Sequence, residues 1–136
     1  MEKTRIVVDT NIVANAIRKG GNRNAKSRCL LREIYCHKYE VYVSSSIFDE
    51  YKRVLYDYPR INPSKIARML WFLWIKKYAI FIEPRSTNQE HVEMKDEDDR
   101  IFFDVAKCVG AKLITRNHKD YPVHELFTLI DEMYTD

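Results

Sequence analysis

Carboxylates stand at the ends of predicted elements in three separate parts of the sequence. Asp9 directly follows a predicted strand, and Glu50 lies in the first turns of a predicted helix. A later helix opens with Asp98 or Asp99. In a parallel sheet these ends meet at one edge, where carboxylates repel one another and resist ionisation unless a hard cation lies among them. The pattern therefore predicts a Mg²⁺ or Mn²⁺ site.

A hydrated divalent cation in such a site suits phosphodiester hydrolysis. It generates hydroxide near neutral pH, orients an in-line attack and stabilises the charge that develops at phosphorus. Two of the three Gly lie at positions 20 and 21, and the lack of a Gly-rich phosphate loop argues against a nucleoside-triphosphate enzyme. Helix capping would explain any one of the acids alone, but not their joint placement. Periodicity does not decide between Asp98 and Asp99.

The apolar pattern predicts an α/β scaffold for these acids. Buried strands are expected at 5–8, 41–43, 79–82 and 112–115, and helices at 24–39, 45–58, 63–78 and 98–109. Asn62 is expected to cap the third helix, and Gly110 to end the fourth in a left-handed conformation. This alternation predicts a three-layer α/β/α fold with a central, mostly parallel sheet, formed by residues 1–136 as a single domain. Residues 127–130 are predicted as an edge strand or as part of a last helix.

Composition sets the broad class of protein. The chain has 136 residues, of which 46% are hydrophobic and 32% charged, with a formal net charge of +3. These values fit one folded domain and allow a polyanionic partner without requiring one. The longest apolar run, residues 69–75, is too short to cross a bilayer, and no secretory signal is expected, so the protein is predicted to be cytoplasmic.

Cys29, Cys36 and Cys108 lack a metal-binding spacing and are interpreted as reduced core thiols.

Four segments together resemble the PIN-domain family, and the resemblance covers nearly the whole chain. It extends more narrowly to the toxins of bacterial and archaeal toxin–antitoxin pairs, similar to VapC-type ribonucleases. The resemblance implies a PIN-like fold and a metal-dependent endoribonuclease that acts on RNA with one or two Mg²⁺ or Mn²⁺ ions. The segments are Ile6-Val7-Val8-Asp9-Thr10-Asn11, Ser46-Ile47-Phe48-Asp49-Glu50-Tyr51, the Asp-x-x-Phe-Phe-x-x-Ala pattern within residues 96–106, and Leu113-Ile114-Thr115-Arg116-Asn117.

The resemblance also assigns the catalytic acids. It implies that Asp9, Glu50 and Asp99 are both the catalytic core and the metal ligands. Asp99 is favoured over Asp98 because Ala106 lies seven residues after it, as the family pattern requires.

Other polar residues receive roles from the same resemblance. Asn117 occupies the position where the family often has a fourth acid, and Asp120 is expected to substitute for it, so both are predicted as metal ligands. Because an asparagine replaces the family's fourth acid, the site is predicted to bind either one or two ions. Thr10, Asn11 and Thr115 are expected to orient the carboxylates, although capping and strand-end roles would also explain them.

Basic residues crowd two parts of the chain, an early segment and the end of the fourth strand. They are expected to contact the phosphates of an RNA backbone, which positions a substrate without reading its sequence. A solvated helix face explains the early segment equally well. The predicted RNA-binding set is Arg18, Lys19, Arg23, Lys26, Arg28, Arg116, His118 and Lys119.

Residues 69–75 are apolar on every side of their predicted helix, which is more than one buried face requires. Trp71 and Trp74 are therefore expected to anchor a homodimer interface or a groove for an antitoxin helix. Complete burial in the core is the simpler alternative. Self-association into a homodimer is predicted.

Three other classes of protein share some of these features. A phosphoacceptor receiver domain would need an Asp after the third strand, where Glu83 and Pro84 stand. A haloacid-dehalogenase-like phosphatase would need an Asp at the position of Asn11. The strongest alternative is a degenerate PIN domain that binds RNA or a partner without cutting, because Asn117 replaces an acid.

Overall fold

A parallel β-sheet forms the centre of the computed structural model, which describes residues 2–20, 25–57, 62–87, 94, 96–116 and 126–134. Its five strands are β1 Thr4–Val8, β2 Tyr39–Val43, β3 Ile80–Phe81, β4 Lys112–Thr115 and β5 Phe127–Leu129. They lie in the order β3-β2-β1-β4-β5, and each neighbouring pair is parallel. The carboxyl ends of all five strands therefore lie at one edge.

Helices flank this sheet, which confirms the predicted three-layer α/β/α fold. A 3₁₀ turn at Glu97–Asp99, here called the acidic turn, leads into the fifth helix. None of the helices in the described ranges is long and apolar enough to cross a membrane. The helices are α1 Thr10–Ile17, α2 Ala25–Tyr35, α3 Ser45–Asp57, α4 Lys65–Tyr78, α5 Arg100–Val109 and α6 Ile130–Met133.

The sequence pattern missed α1, which begins directly after Asp9. Its residues include the β-branched Thr10, Ile12 and Val13, which have modest helix propensity, so the pattern predicted no helix before residue 24. Tertiary burial overrides that propensity, because every residue of α1 except Asn11 is buried. The early helix places the backbone N–H groups of its first turn beside Asp9.

Two other predicted helix ends were wrong by a few residues. The helix predicted over 24–39 ends at Tyr35, because His37 adopts a left-handed φ of 62° and donates its N–H to the Ile34 carbonyl. The next boundary is shifted because Ser64, not Asn62, caps α4 with its side chain.

The outer strands also differ from the prediction. The strand predicted as buried over 79–82 is the two-residue β3, whose side chains are exposed because it lies at the sheet edge. Residues 127–129 form the opposite edge strand β5, so the edge-strand alternative is confirmed. Gly110 ends α5 with φ 66°, as predicted.

The core lies around the central strands β1 and β4. Ile6, Val7 and Val8 are fully buried, because β1 has a strand on each side and helices cover the sheet. The three cysteines are free, but the expectation that they are core thiols was wrong: Cys36 and Cys108 are exposed and Cys29 is half-buried. Both exposed cysteines lie in the last turn of a helix or just beyond it, where the apolar stripe has ended.

Candidate active site

Asp9 lies at the carboxyl end of β1 and is only 4% exposed. Its carboxylate caps α1 by accepting a hydrogen bond from the Asn11 backbone N–H, at 3.3 Å. The Thr115 hydroxyl donates a second hydrogen bond to it from the end of β4, at 3.1 Å. Because β1 and β4 are neighbours in the sheet, tertiary pairing brings together two residues that are 106 positions apart. The carboxylate is thus held in a fixed orientation at this edge.

Tyr51 supports the same strand end from the side of α3. Its fully buried hydroxyl donates a 2.5 Å hydrogen bond to the Val8 carbonyl. Burial, with a smaller contribution from the negative charge of Asp9, raises the pKa of Tyr51 well above its ordinary value. Tyr51 therefore remains a neutral donor. The sequence pattern gave Tyr51 no role in the site, because a buried tyrosine and a buried phenylalanine give the same periodicity.

Thr10 is buried beside Asp9, and its hydroxyl has no hydrogen-bond partner within the described part of the chain. Buried hydroxyl groups normally have a partner. A buried hydroxyl without a partner among the described residues can still bind an ordered water. Asn11 is exposed and contributes its backbone N–H to Asp9.

Glu50 lies on α3 and its side chain is 22% exposed. Both of its oxygens accept hydrogen bonds from Arg53, at 2.7 Å and 3.1 Å. Its neighbour Asp49 is well exposed and pairs with Lys52 at 3.6 Å. Glu50 is therefore the less exposed of the two acids.

The acidic turn is held by its own hydrogen bonds. The Asp96 carboxylate accepts the Asp98 N–H at 3.0 Å, while Glu97 accepts two hydrogen bonds from Arg100. Asp98 is exposed and Asp99 is half-buried at the start of α5. The residue that caps the turn is therefore Asp96.

A buried polar network fastens the acidic turn to the segment before it. Arg100 donates to the Thr87 hydroxyl at 2.8 Å, and the Thr87 N–H donates to the Asp104 carboxylate at 2.7 Å. All three residues are buried. The sequence pattern missed this network because its members lie on two elements and show no motif. It fixes where α5 begins, and with it the position of Asp99.

An open cavity of about 490 Å³ separates the first turns of α3 from the acidic turn. Four carboxylates and one guanidinium line it, so its electrostatic character is strongly acidic. We call it the acidic opening; its lining residues are Ser46, Asp49, Glu50, Arg53, Glu97, Asp98 and Ile101.

The predicted metal ligands that the structure describes are thus not gathered at one place. Glu50 lines the acidic opening, whereas Asp9 is buried at the strand ends with Thr115. No set of three or more His, Cys, Asp or Glu side chains within the described ranges is grouped closely enough to hold an ion. Asn117 and Asp120 lie outside the described residues. A shared metal site formed by Asp9, Glu50 and Asp99 stays a prediction.

The basic residues form no single surface in the described part of the chain. Arg18, Lys19 and Arg28 line a second cavity, of about 460 Å³, where α1 ends and α4 begins. Lys26 instead pairs with Asp131 at 3.3 Å. Arg116 is exposed after β4. The remaining predicted RNA contacts, Arg23, His118 and Lys119, lie outside the described residues.

The start of α3, and hence the position of Glu50, depends on a carboxylate that gives a pH-dependent stability. Glu83 accepts hydrogen bonds from the side chain and the backbone N–H of Ser45, and these bonds lower the pKa of Glu83 below 4.5. A lowered folded-state pKa gives stability that is complete above the unfolded value and is lost as the pH falls through the folded value.

We therefore expect Glu83→Gln to unfold at a lower temperature than the unchanged protein at pH 7, because a neutral amide is a weaker acceptor than a carboxylate. The difference should shrink below about pH 4.5 as Glu83 takes up its proton. Thermal unfolding of both proteins between pH 7 and pH 3 measures it. A constant difference over that range would contradict the assignment.

Comparison with known proteins gives a family and a fold. A family model described as PIN domain matches residues 5–119. A comparison with curated proteins finds no match. Among solved structures, the chain is similar to a crystal structure of VapBC2 from Rickettsia felis bound to a DNA fragment from their promoter. That match has a TM-score of 0.55 and 18% identity, and covers 93% of this chain and 97% of the other.

A second similar structure is FitAcB from Neisseria gonorrhoeae. Its TM-score is 0.53 with 14% identity, and the match covers 85% of this chain and 90% of the other. At these identities the two structures support the fold.

Proposed function

Because the chain belongs to the PIN-domain family, we propose that it is a nuclease, and more narrowly a Mg²⁺- or Mn²⁺-dependent endoribonuclease that acts in the cytoplasm as the toxin of a toxin–antitoxin pair. The observation that carries the proposal is the fixed orientation of the Asp9 carboxylate by Asn11 and Thr115 at the edge of the sheet where all strands end. The carboxylates of the acidic opening lie on α3 and the acidic turn.

The chemistry of the donor set fits a hard divalent cation, although no three carboxylates within the described ranges are grouped closely enough to hold one. Asp9, Glu50 and Asp99 offer carboxylate oxygens, the atoms that Mg²⁺ and Mn²⁺ prefer. These three acids would hold the ion, with Asn117 or Asp120 available for a second. The bound ion would supply Lewis-acid activation of water and of the scissile phosphate.

The chain's own residues orient the carboxylate of Asp9 and contact the RNA. Thr115 and the Asn11 N–H keep Asp9 from rotating, and Tyr51 fixes the carbonyl of the preceding residue. A carboxylate that is already oriented loses little entropy when it binds a ligand, so this support favours both binding and turnover. The exposed Arg116, beside the same edge, is positioned to contact an RNA phosphate.

An exposed apolar face on α4 supports a protein partner. Ile66, Met69, Leu70 and Leu73 are all exposed along one side of this helix. Lysines border the face, among them the exposed Lys76 and Lys77, so an acidic amphipathic segment of an antitoxin fits it better than a second copy with the same positive border. The similar structures, VapBC2 and FitAcB, are the reason to name an antitoxin. The homodimer stays a prediction.

The test of the catalytic proposal is cleavage of a generic single-stranded RNA in Mn²⁺, with EDTA as the metal-free control. Asp99→Asn should reduce cleavage at least about 100-fold, since even changes to residues that only support metal ligands cost 10–100-fold. Asp98→Asn is the matched control, because it removes the same charge one residue away, and we expect it to retain most activity. If the unchanged protein cleaves no RNA under any metal condition, the alternative is favoured. That alternative is a degenerate PIN domain that binds RNA or a partner without cutting, and its basis is Asn117, which lies where the family often has an acid.

A further inference from the structure

Arg53 is a cation within an otherwise acidic opening, and it was not part of the predicted RNA-binding set. It lies one helical turn after Glu50 on α3 and binds both carboxylate oxygens of that residue. Its side chain is nevertheless 55% exposed. The guanidinium therefore contacts a predicted metal ligand and the solvent at the same time.

The acidic opening repels RNA unless cations offset its negative charge. Asp49, Glu50, Glu97 and Asp98 all line the cavity and would repel a phosphodiester. Arg100, the other guanidinium close to the acidic turn, is buried and engaged with Glu97 and Thr87. Lys52, the neighbour of Arg53, pairs with Asp49 and does not line the opening. Arg53 is thus the cation that an incoming phosphate would meet among the described lining residues.

A metal ion at Glu50 would compete with Arg53 for the same oxygens. Two cations at one carboxylate repel each other, and an ion pair as exposed as this one is weak enough to open. The guanidinium that leaves Glu50 keeps its forked donors, which match the oxygens of a phosphate as well as those of a carboxylate. Its anchoring on α3, whose first turn is fixed by Ser44 and Glu83, keeps it at the mouth of the cavity.

We infer that Arg53 is a phosphate-binding residue for the RNA substrate, paired with Glu50 in the metal-free protein and released to the RNA backbone when a divalent cation takes its place. This inference rests on the proposed function. It assigns Arg53 two opposing effects: the residue weakens metal binding and strengthens RNA binding in the presence of metal.

The experiment compares the full-length unchanged protein with Arg53→Ala, Arg53→Lys and Lys52→Ala. Mn²⁺ affinity is measured by calorimetric titration with the metal alone. RNA affinity is measured in saturating Mn²⁺ at several salt concentrations by fluorescence anisotropy of a short labelled single-stranded RNA, whose modified linkages resist hydrolysis but keep the phosphate charge. A gel confirms that the probe stays intact. Lys52→Ala is the matched control, because it removes the same charge from the same turn of α3 outside the acidic opening.

For Arg53→Ala we expect Mn²⁺ to bind roughly threefold or more tightly, because a competing cation is gone. RNA should bind at least about tenfold more weakly, and the slope of log affinity against log salt should fall by about 0.7, the value for one lost phosphate contact on a single strand. Arg53→Lys should retain the salt slope, since it keeps the charge, but bind RNA with intermediate affinity, since it loses the fork. Lys52→Ala should match the unchanged protein in both measurements.

If Arg53→Ala and Lys52→Ala bind RNA with equal affinity and equal salt slopes, the role of Arg53 is overturned while the metal-dependent function stands. If the unchanged protein binds no Mn²⁺, the proposed function itself fails, and this inference fails with it. The metal titration therefore separates the two failures.

Discussion

Asp9→Asn is expected to lower Mn²⁺-dependent RNA cleavage by more than about 100-fold while leaving the fold intact. The asparagine keeps an oxygen that can accept the Asn11 N–H, and Asn and Asp are equally good helix caps, so α1 should form as before. The substitution removes the negative charge that a divalent cation needs. Cleavage assays in Mn²⁺, together with thermal unfolding without metal, test both halves of this expectation.

The control is Asp9→Ala, which removes the cap as well as the charge. We expect it to lose stability by about 1–2 kcal/mol, because neither the Asn11 N–H nor the Thr115 hydroxyl then has its acceptor. Mn²⁺ should raise the unfolding temperature of the unchanged protein and do so much less for either variant. A marked fall in unfolding temperature for Asp9→Asn would mean that the charge of Asp9 stabilises the fold and would weaken its assignment to metal.

Trp71→Ala is expected to destabilise the protein by about 3–5 kcal/mol, the usual cost of removing a fully buried aromatic side chain. Trp71 is 0% exposed and packs edge-to-face on Tyr51, with ring centroids 5.5 Å apart. Of the two alternatives for Trp71, burial in the core is therefore confirmed and the partner anchor is wrong, because the helix turns this residue toward the core. The loss should also disturb the Tyr51 hydrogen bond to Val8. Chemical denaturation measures the change.

Leu73→Ala is the matched variant on the same helix. Leu73 is 57% exposed, so its truncation should change stability by no more than about 0.5 kcal/mol. It should instead weaken binding of a cognate antitoxin, because it removes part of the exposed apolar face of α4. Equal destabilisation by the two substitutions would contradict the division of α4 into a core side and a partner side. Unchanged antitoxin binding by Leu73→Ala would remove this face from the proposed interface.

Local patterns predicted the parts of the fold that depend on continuous burial. The apolar runs of β1 and β4 predicted buried strands, because both faces of a central parallel strand are covered. Gly110 predicted a helix end, because few other residues adopt a positive φ. The same logic failed for α1, where packing overrides low propensity, and for β3, where a short apolar run lies at the sheet edge.

The sequence by itself determined the candidate acids, the family resemblance and the three-layer fold, because residue type and spacing carry that information along the chain. The tertiary structure decided which side chains support those acids. Thr115 reaches Asp9 only because β1 and β4 pair, and Thr87, Arg100 and Asp104 connect only because a loop folds back on α5. Hydrogen bonds of this kind join residues far apart in sequence and leave no periodic signal, so only the folded arrangement of the elements determines them.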